Sequence, residues 1–162
     1  MQRNIATYIP NKRHYLFCVD ETGEEELSSL IREVQVRQAS VEVIQIDKHV
    51  SSDRLQEEMK HGLSRQKMGT YLYIAVEWKR LDQLIIVAED VGFTSEEASF
   101  IGVGTKNMNV FCCRCHGINM VSDIKIERGN FRINCSFCRI SLSVSDHYSK
   151  FRNAYLGYSE IS

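Results

Sequence analysis

The chain has 162 residues, 43% of them hydrophobic, which is enough for one domain plus a small module or for two small domains. Its formal net charge is −1, so bulk charge imposes neither a nucleic-acid nor a membrane partner. The opening residues Met1-Gln2-Arg3-Asn4-Ile5 lack the apolar core of a signal peptide, and no stretch approaches the roughly 20 apolar residues of a membrane span.

In chain order, Pro10 precedes the apolar run His14-Tyr15-Leu16-Phe17-Cys18-Val19, which reads as a buried strand. Glu24 to Ala39 carries Leu27, Leu30, Ile31 and Val34 at helical spacing. Val41-Glu42-Val43-Ile44-Gln45-Ile46 is rich in β-branched residues and reads as the second strand. Ser51 or Ser52 can cap a helix running to about Gln66, with Leu55, Met59 and Leu63 on one face and Gly69 closing it. Thr70 to Val76 is a third strand. A third helix over Arg80 to Val91 turns Leu81, Leu84, Ile85 and Ala88 inward and ends at Gly92. Phe100-Ile101-Gly102-Val103-Gly104 is a fourth strand. Alternating strands and helices predict a small Rossmann-like, mostly parallel sheet covered by helices. A polar break, Thr105 to Asn109, follows two glycines, so the domains are expected to span 1–108 and 109–162.

A sheet of this kind binds ligands at the carboxyl ends of its strands. The turn after the first strand, Val19-Asp20-Glu21-Thr22-Gly23-Glu24-Glu25-Glu26, has one glycine and five carboxylates. Dinucleotide binding needs a glycine-rich turn that brings backbone and a helix N-terminus to the pyrophosphate. Glutamates there occupy the positive end of the helix and repel phosphate. A scaffold without a working nucleotide site is expected. The stretch from Tyr73-Ile74-Ala75-Val76 through Gly92 to Phe93-Thr94-Ser95-Glu96-Glu97 resembles the end of the pyridine-nucleotide domain of ferredoxin-reductase-type flavoproteins. In those proteins the strand runs into Cys-Gly-Pro, whereas here it runs into Val76-Glu77-Trp78, so the resemblance covers shape and not chemistry.

The C-terminal part carries two Cys-x2-Cys pairs, Cys112/Cys115 and Cys135/Cys138, with 19 residues between them. Each pair places two sulfurs on one side of a tight knuckle, and two facing knuckles supply the tetrahedral four-sulfur set of a structural Zn2+ site. Without a signal peptide the cysteines are expected in a reducing cytoplasm, where such pairs hold metal rather than form disulfides. Iron on four thiolates, as in rubredoxin, is the alternative, since spacing does not separate the two ions. Rubredoxin-type knuckles usually carry glycine after the second cysteine; His116 and Arg139 stand there, which favours zinc. Four protein ligands close the site, so no catalytic role for the metal is expected. Cys113, between two ligands, reads as a small buried side chain, and His116 as at best a substitute ligand. Met120 to Ile126 and Phe131 to Asn134 alternate like a hairpin, with Glu127-Arg128-Gly129-Asn130 as its turn.

Charge is uneven: residues 1–108 carry 13 Lys+Arg against 17 Asp+Glu, a net −4, and residues 109–162 carry 7 against 4, a net +3. Four thiolates plus Zn2+ would carry a formal −2, which Arg114 and Arg139 can offset. A phosphate-gripping ribbon would show more Lys and Arg, with aromatics between them, so nucleic acid is the weaker partner class. Tyr148, Phe151, Tyr155 and Tyr158 follow helical spacing and read as a docking face. His147, beside Asp146, Ser145 and Ser149, reads as a polar contact, because sequence neighbours seldom converge as a triad.

Together, the knuckle followed by His116, the second knuckle, Leu142-x-Val144, Asp146-His147-Tyr148-Ser149 and Ala154-Tyr155-Leu156-Gly157-Tyr158 resemble the small subunit of bacterial dimethylamine monooxygenases. That family also has a reductase-like N-terminal domain. The resemblance implies Cys112, Cys115, Cys135 and Cys138 as metal ligands, and His147, Ser149, Tyr155 and Gly157 as a tail signature without assigned chemistry. It further implies a component of an NADPH-dependent oxygenase that demethylates a secondary amine, with other protein subunits as partners. The expected role is an accessory subunit that performs no chemistry alone and has no catalytic or nucleotide-binding residues of its own. A zinc-ribbon module contacting nucleic acid or a regulatory partner, or an iron-bearing electron-transfer component, are the alternatives.

Overall fold

The structure, a computed structural model, describes residues 6–122 and 131–160. They fall into two compact units, one ending at Gly104 and the other beginning at Thr105.

The first unit alternates strands and helices: β1 (His14–Val19), α1 (Glu21–Val36), β2 (Val41–Gln45), α2 (Ser52–Ser64), β3 (Thr70–Glu77), α3 (Trp78–Asp90) and β4 (Ala98–Val103). The strands form one sheet in the order β2-β1-β3-β4, and every neighbouring pair is parallel. Successive side chains of a strand point to opposite faces, so β1 divides its residues between two cores. Leu16 and Cys18 join Leu55, Met59 and Leu63 of α2 and Leu81, Leu84 and Ala88 of α3. Tyr15, Phe17 and Val19 join Leu27, Leu30, Ile31 and Val34 of α1. Helices therefore cover both faces. On the α1 face the Tyr73 ring stacks on Phe17 at 4.8 Å, and its hydroxyl donates to Thr7 O at 2.8 Å, which ties the N-terminal segment to the sheet. No helix among the described residues is long and apolar enough to cross a membrane.

Two helix starts differ from the sequence reading. Helix α1 begins at Glu21 rather than Glu24, because Asp20 caps it directly at the end of β1. It ends at Val36 rather than Ala39, where the Arg37 N–H folds back onto Glu33 O and Gln38 takes a φ of 59°. Helix α3 begins at Trp78, two residues early. Gly102 of β4 lets the Trp78 indole lie on the sheet, since a Cβ at Gly102 would sit 2.2 Å from that ring.

The second unit is a five-stranded sheet of β5 (Asn107–Cys112), β6 (Ile118–Ser122), β7 (Arg132–Asn134), β8 (Ser141–Ser149) and β9 (Ala154–Ser159). The order is β6-β5-β9-β8-β7, with β5 and β9 parallel and the other pairs antiparallel. The expected hairpin between Met120–Ile126 and Phe131–Asn134 is not what the described strands make. Strand β6 pairs with β5 and β7 pairs with β8, which puts β6 and β7 at opposite edges. The expected turn at 127–130, with residues 123–126 before it, lies outside the described residues. The tail is likewise not helical. Tyr148 lies one residue before the end of β8, Tyr155 faces it across the pair with the rings edge-on at 5.1 Å, and Phe151 stands 94% exposed in the turn between. Tyr158 lies three residues beyond Tyr155, an odd step that turns it to the other face of the strand.

Candidate metal centre

Each cysteine pair sits in the turn of a two-stranded hairpin, β5–β6 for the first and β7–β8 for the second. The two turns are built alike. Cys112 N–H donates to Gly117 O at 2.9 Å and His116 N–H to Cys112 O at 2.8 Å. Correspondingly, Cys135 N–H donates to Ile140 O and Arg139 N–H to Cys135 O, both at 2.9 Å. The residue after each second cysteine is left-handed, His116 at φ 66° and Arg139 at φ 67°. This is the position where glycine is the unstrained choice.

The two hairpins bring four sulfurs together. Cys112 Sγ lies 3.8 Å from Cys138 Sγ, Cys115 Sγ lies 3.6 Å from Cys135 Sγ, and all four sulfurs are within 4.8 Å of one another. A tetrahedral ion with metal–sulfur bonds of about 2.3 Å places its ligands about 3.8 Å apart, so the cluster fits one ion with little adjustment. The four cysteines could hold a metal ion. None of the six cysteines is in a disulfide. Cys112 and Cys135 are fully buried, Cys138 is half-buried and Cys115 is exposed.

The sulfurs are not equivalent. Hydrogen bonds from the Cys138 and Phe137 backbone and from the Asn119 side chain bring the Cys135 thiol down to about 6. The Gly117 N–H, donating at 3.4 Å, lowers the Cys115 thiol, but desolvation and sharing with the other three sulfurs outweigh it and push it up to about 11.

Neighbouring candidates fall outside the cluster. Cys113 is half-buried, its N–H donates to Gly157 O at 3.0 Å, and burial raises its thiol. His116 stacks on Phe111 with centroids 5.4 Å apart, and the Arg152 guanidinium lies 4.0 Å from the same ring. Arg114 and Arg139 are exposed. His147 and Asp146 are exposed where the β8–β9 register shifts, and the His147 N–H donates to Ser145 Oγ at 3.0 Å. Of the tail signature, Gly157 has a packing reason: a Cβ there would sit 2.9 Å from Val110 Cγ1 and 3.2 Å from Leu142 Cδ1. The sequence reading missed Asn119, which is buried against Cys135. A single polar residue in an apolar strand looks like a solvent-facing one.

The left-handed geometry gives a first prediction. Exchanging Arg139 for glycine is expected to stabilise the metal-loaded second unit by roughly half a kcal/mol, the relief of a left-handed side chain less the added freedom of the unfolded chain. A denaturant titration that resolves this unit checks it, and a loss of stability would show that the Arg139 side chain contributes more than its backbone strain.

At the carboxyl ends of the first unit's strands, Asp20 fills the start of α1. One carboxylate oxygen accepts the Gly23 N–H at 2.7 Å and the other accepts the Glu77 N–H at 2.9 Å. The place where a doubly wound sheet would offer amides to a phosphate is thus taken by a buried carboxylate, with Glu21 and Glu24 in the same turn.

Fold and site define a parallel α/β unit followed by a β-rich unit that carries a four-cysteine cluster. Residues 109–158 match the family model described as dimethylamine monooxygenase subunit DmmA-like, C-terminal domain. The match spans all four clustered cysteines and relates the chain to DmmA-like proteins through its second unit. No curated protein and no solved structure gives a significant match to the chain.

Proposed function

We propose that the chain is an accessory, non-catalytic subunit of a multicomponent amine-oxidising monooxygenase of the dimethylamine type. The match over residues 109–158 supports this reading most directly. Domain 109–162 is a zinc ribbon with Cys112, Cys115, Cys135 and Cys138 as its ligands, and its role is subunit assembly. Four protein sulfurs leave no open position for substrate, which suits a structural metal. Domain 1–108 is a Rossmann-like scaffold whose order β2-β1-β3-β4 is that of a doubly wound sheet and whose phosphate position is filled by Asp20. Partners are the flavin- and iron-containing subunits of the oxygenase, in the cytoplasm, where thiols stay reduced.

The test is co-expression of the tagged chain with oxygenase and reductase components, with elemental analysis of the purified assembly. Stoichiometric association with zinc in the ribbon is the expected result. Failure to associate with any oxygenase or reductase component would overturn the assembly role. A second reading follows from the N–H donors that Gly117 and Asn119 aim at sulfur, since such bonds also tune iron–thiolate potentials. Iron in place of zinc, with visible thiolate charge-transfer bands and a reversible redox step, would make the chain an electron carrier. A steep loss of nucleic-acid affinity with rising salt would instead favour a nucleic-acid module.

A further inference from the structure

One knuckle is gripped by a side chain from the other hairpin. Asn119 lies in β6 between exposed Ile118 and Met120, is turned to the opposite face, and is 4% exposed. Its Oδ1 accepts the Ser136 N–H at 2.8 Å, and its Nδ2 donates to Cys135 Sγ at 3.5 Å. Chemistry fixes the orientation of the amide: a backbone N–H can only donate, so the oxygen faces Ser136 and the NH2 group faces sulfur. Strands β6 and β7 stand at opposite edges of the sheet, so this bridge crosses between hairpins at the four sulfurs and does not belong to the ladder.

We propose that Asn119 is a positioning residue of the metal centre, holding Cys135 Sγ toward the point shared by the four sulfurs and drawing charge from its thiolate. The inference rests on the metal reading above. A divalent ion on four thiolates leaves a formal −2, and a charge-assisted N–H···S bond spreads part of it. Backbone donors such as Gly117 N–H come with any sequence that makes the turn, whereas the Asn119 amide is a feature of this residue alone. Aspartate keeps its size and the acceptor for Ser136 but replaces the donor with a negative oxygen. Outer-shell partners of this kind are worth about 10- to 100-fold in metal affinity.

The experiment uses the full chain loaded with Co2+, with and without Asn119→Asp. The variant is expected to shift the thiolate-to-cobalt charge-transfer bands to longer wavelength and to weaken Co2+ about 10- to 100-fold in chelator competition, while the ligand-field bands stay tetrahedral. A merely structural role would lower stability and leave the band energies in place, so unchanged bands and affinity overturn the proposal. If the variant fails to fold, the unsubstituted chain loaded with NMR-active cadmium decides. Scalar coupling between the metal and the Asn119 side-chain amide protons supports the bridge, and its absence with the metal on four thiolates overturns it alone. Failure of the unsubstituted chain to bind Co2+ or Cd2+ through thiolates overturns the metal reading and this inference together.

Discussion

Stripping the metal from the intact protein is expected to unfold the second unit and leave the first one folded. The second unit's cluster around the cysteines has three fully buried side chains, Cys112, Cys135 and Leu142, with Ile133, Cys138 and Ile140 packed against them. Two of those three buried groups are the cysteines themselves, so an ion held by the four sulfurs would be the centre of this core and not an addition to it. Structural zinc contributes on the order of 10–16 kcal/mol in small metal-folded domains near neutral pH, comparable with the whole stability of a typical domain. Cys135→Ser is expected to act like a chelator, because Cys135 is fully buried, its Sγ is one of the four clustered sulfurs, and that sulfur receives Asn119. Acidification should do the same reversibly, since protons compete with the metal for thiolates. Amide-resolved NMR of the full chain checks this: resonances from residues 105–122 and 131–160 should collapse to unfolded positions while those of β1 to β4 hold. Persistence of native shifts in both units after complete demetallation would show that the β-rich unit folds without metal.

The clustering of the four cysteines was legible because its signal is local. A Cys-x2-Cys turn closes on itself, so spacing alone places the sulfurs, and the two hairpin turns deliver Cys112, Cys115, Cys135 and Cys138 to one point. The parallel sheet was legible for a similar reason, since β1 to β4 and the helices between them each carry their own periodicity. What was not legible depends on partners distant in sequence. Strand β6 alternates correctly but pairs with β5, and nothing in Ile118 to Ser122 names that partner. The steps from Tyr148 to Phe151, Tyr155 and Tyr158 fit a helical period as well as they fit two strands and a turn. The left-handed Asn153, at φ 49°, breaks the chain between them. Asn119 escaped because its burial is created by the opposite hairpin, which arrives from another part of the sequence.

Replacing Gly23 by alanine is expected to destabilise the first unit by roughly 4 kcal/mol or more, whereas the same change at Gly62 should stabilise it by about 0.5–1 kcal/mol. Both glycines lie inside helices, and from sequence both look like the same small defect. At Gly62 in α2 a Cβ would meet only Ile44 Cδ1 at 3.5 Å, an ordinary contact, so alanine removes unfolded-state freedom at little cost. At Gly23 in α1 a Cβ would lie 1.8 Å from Ala75 O, a backbone atom of the central strand β3 that cannot step aside. The helix would have to lift from the sheet. That movement would also pull Asp20 away from Glu77 N–H, opening a buried carboxylate that now bridges the ends of β1 and β3. The lone glycine after β1 is thus the reason α1 can lie so close to β3. Urea unfolding of the metal-loaded chain, followed by a probe in the first unit, measures both variants. Equal effects at the two positions would mean that α1 is not held to β3 by this approach.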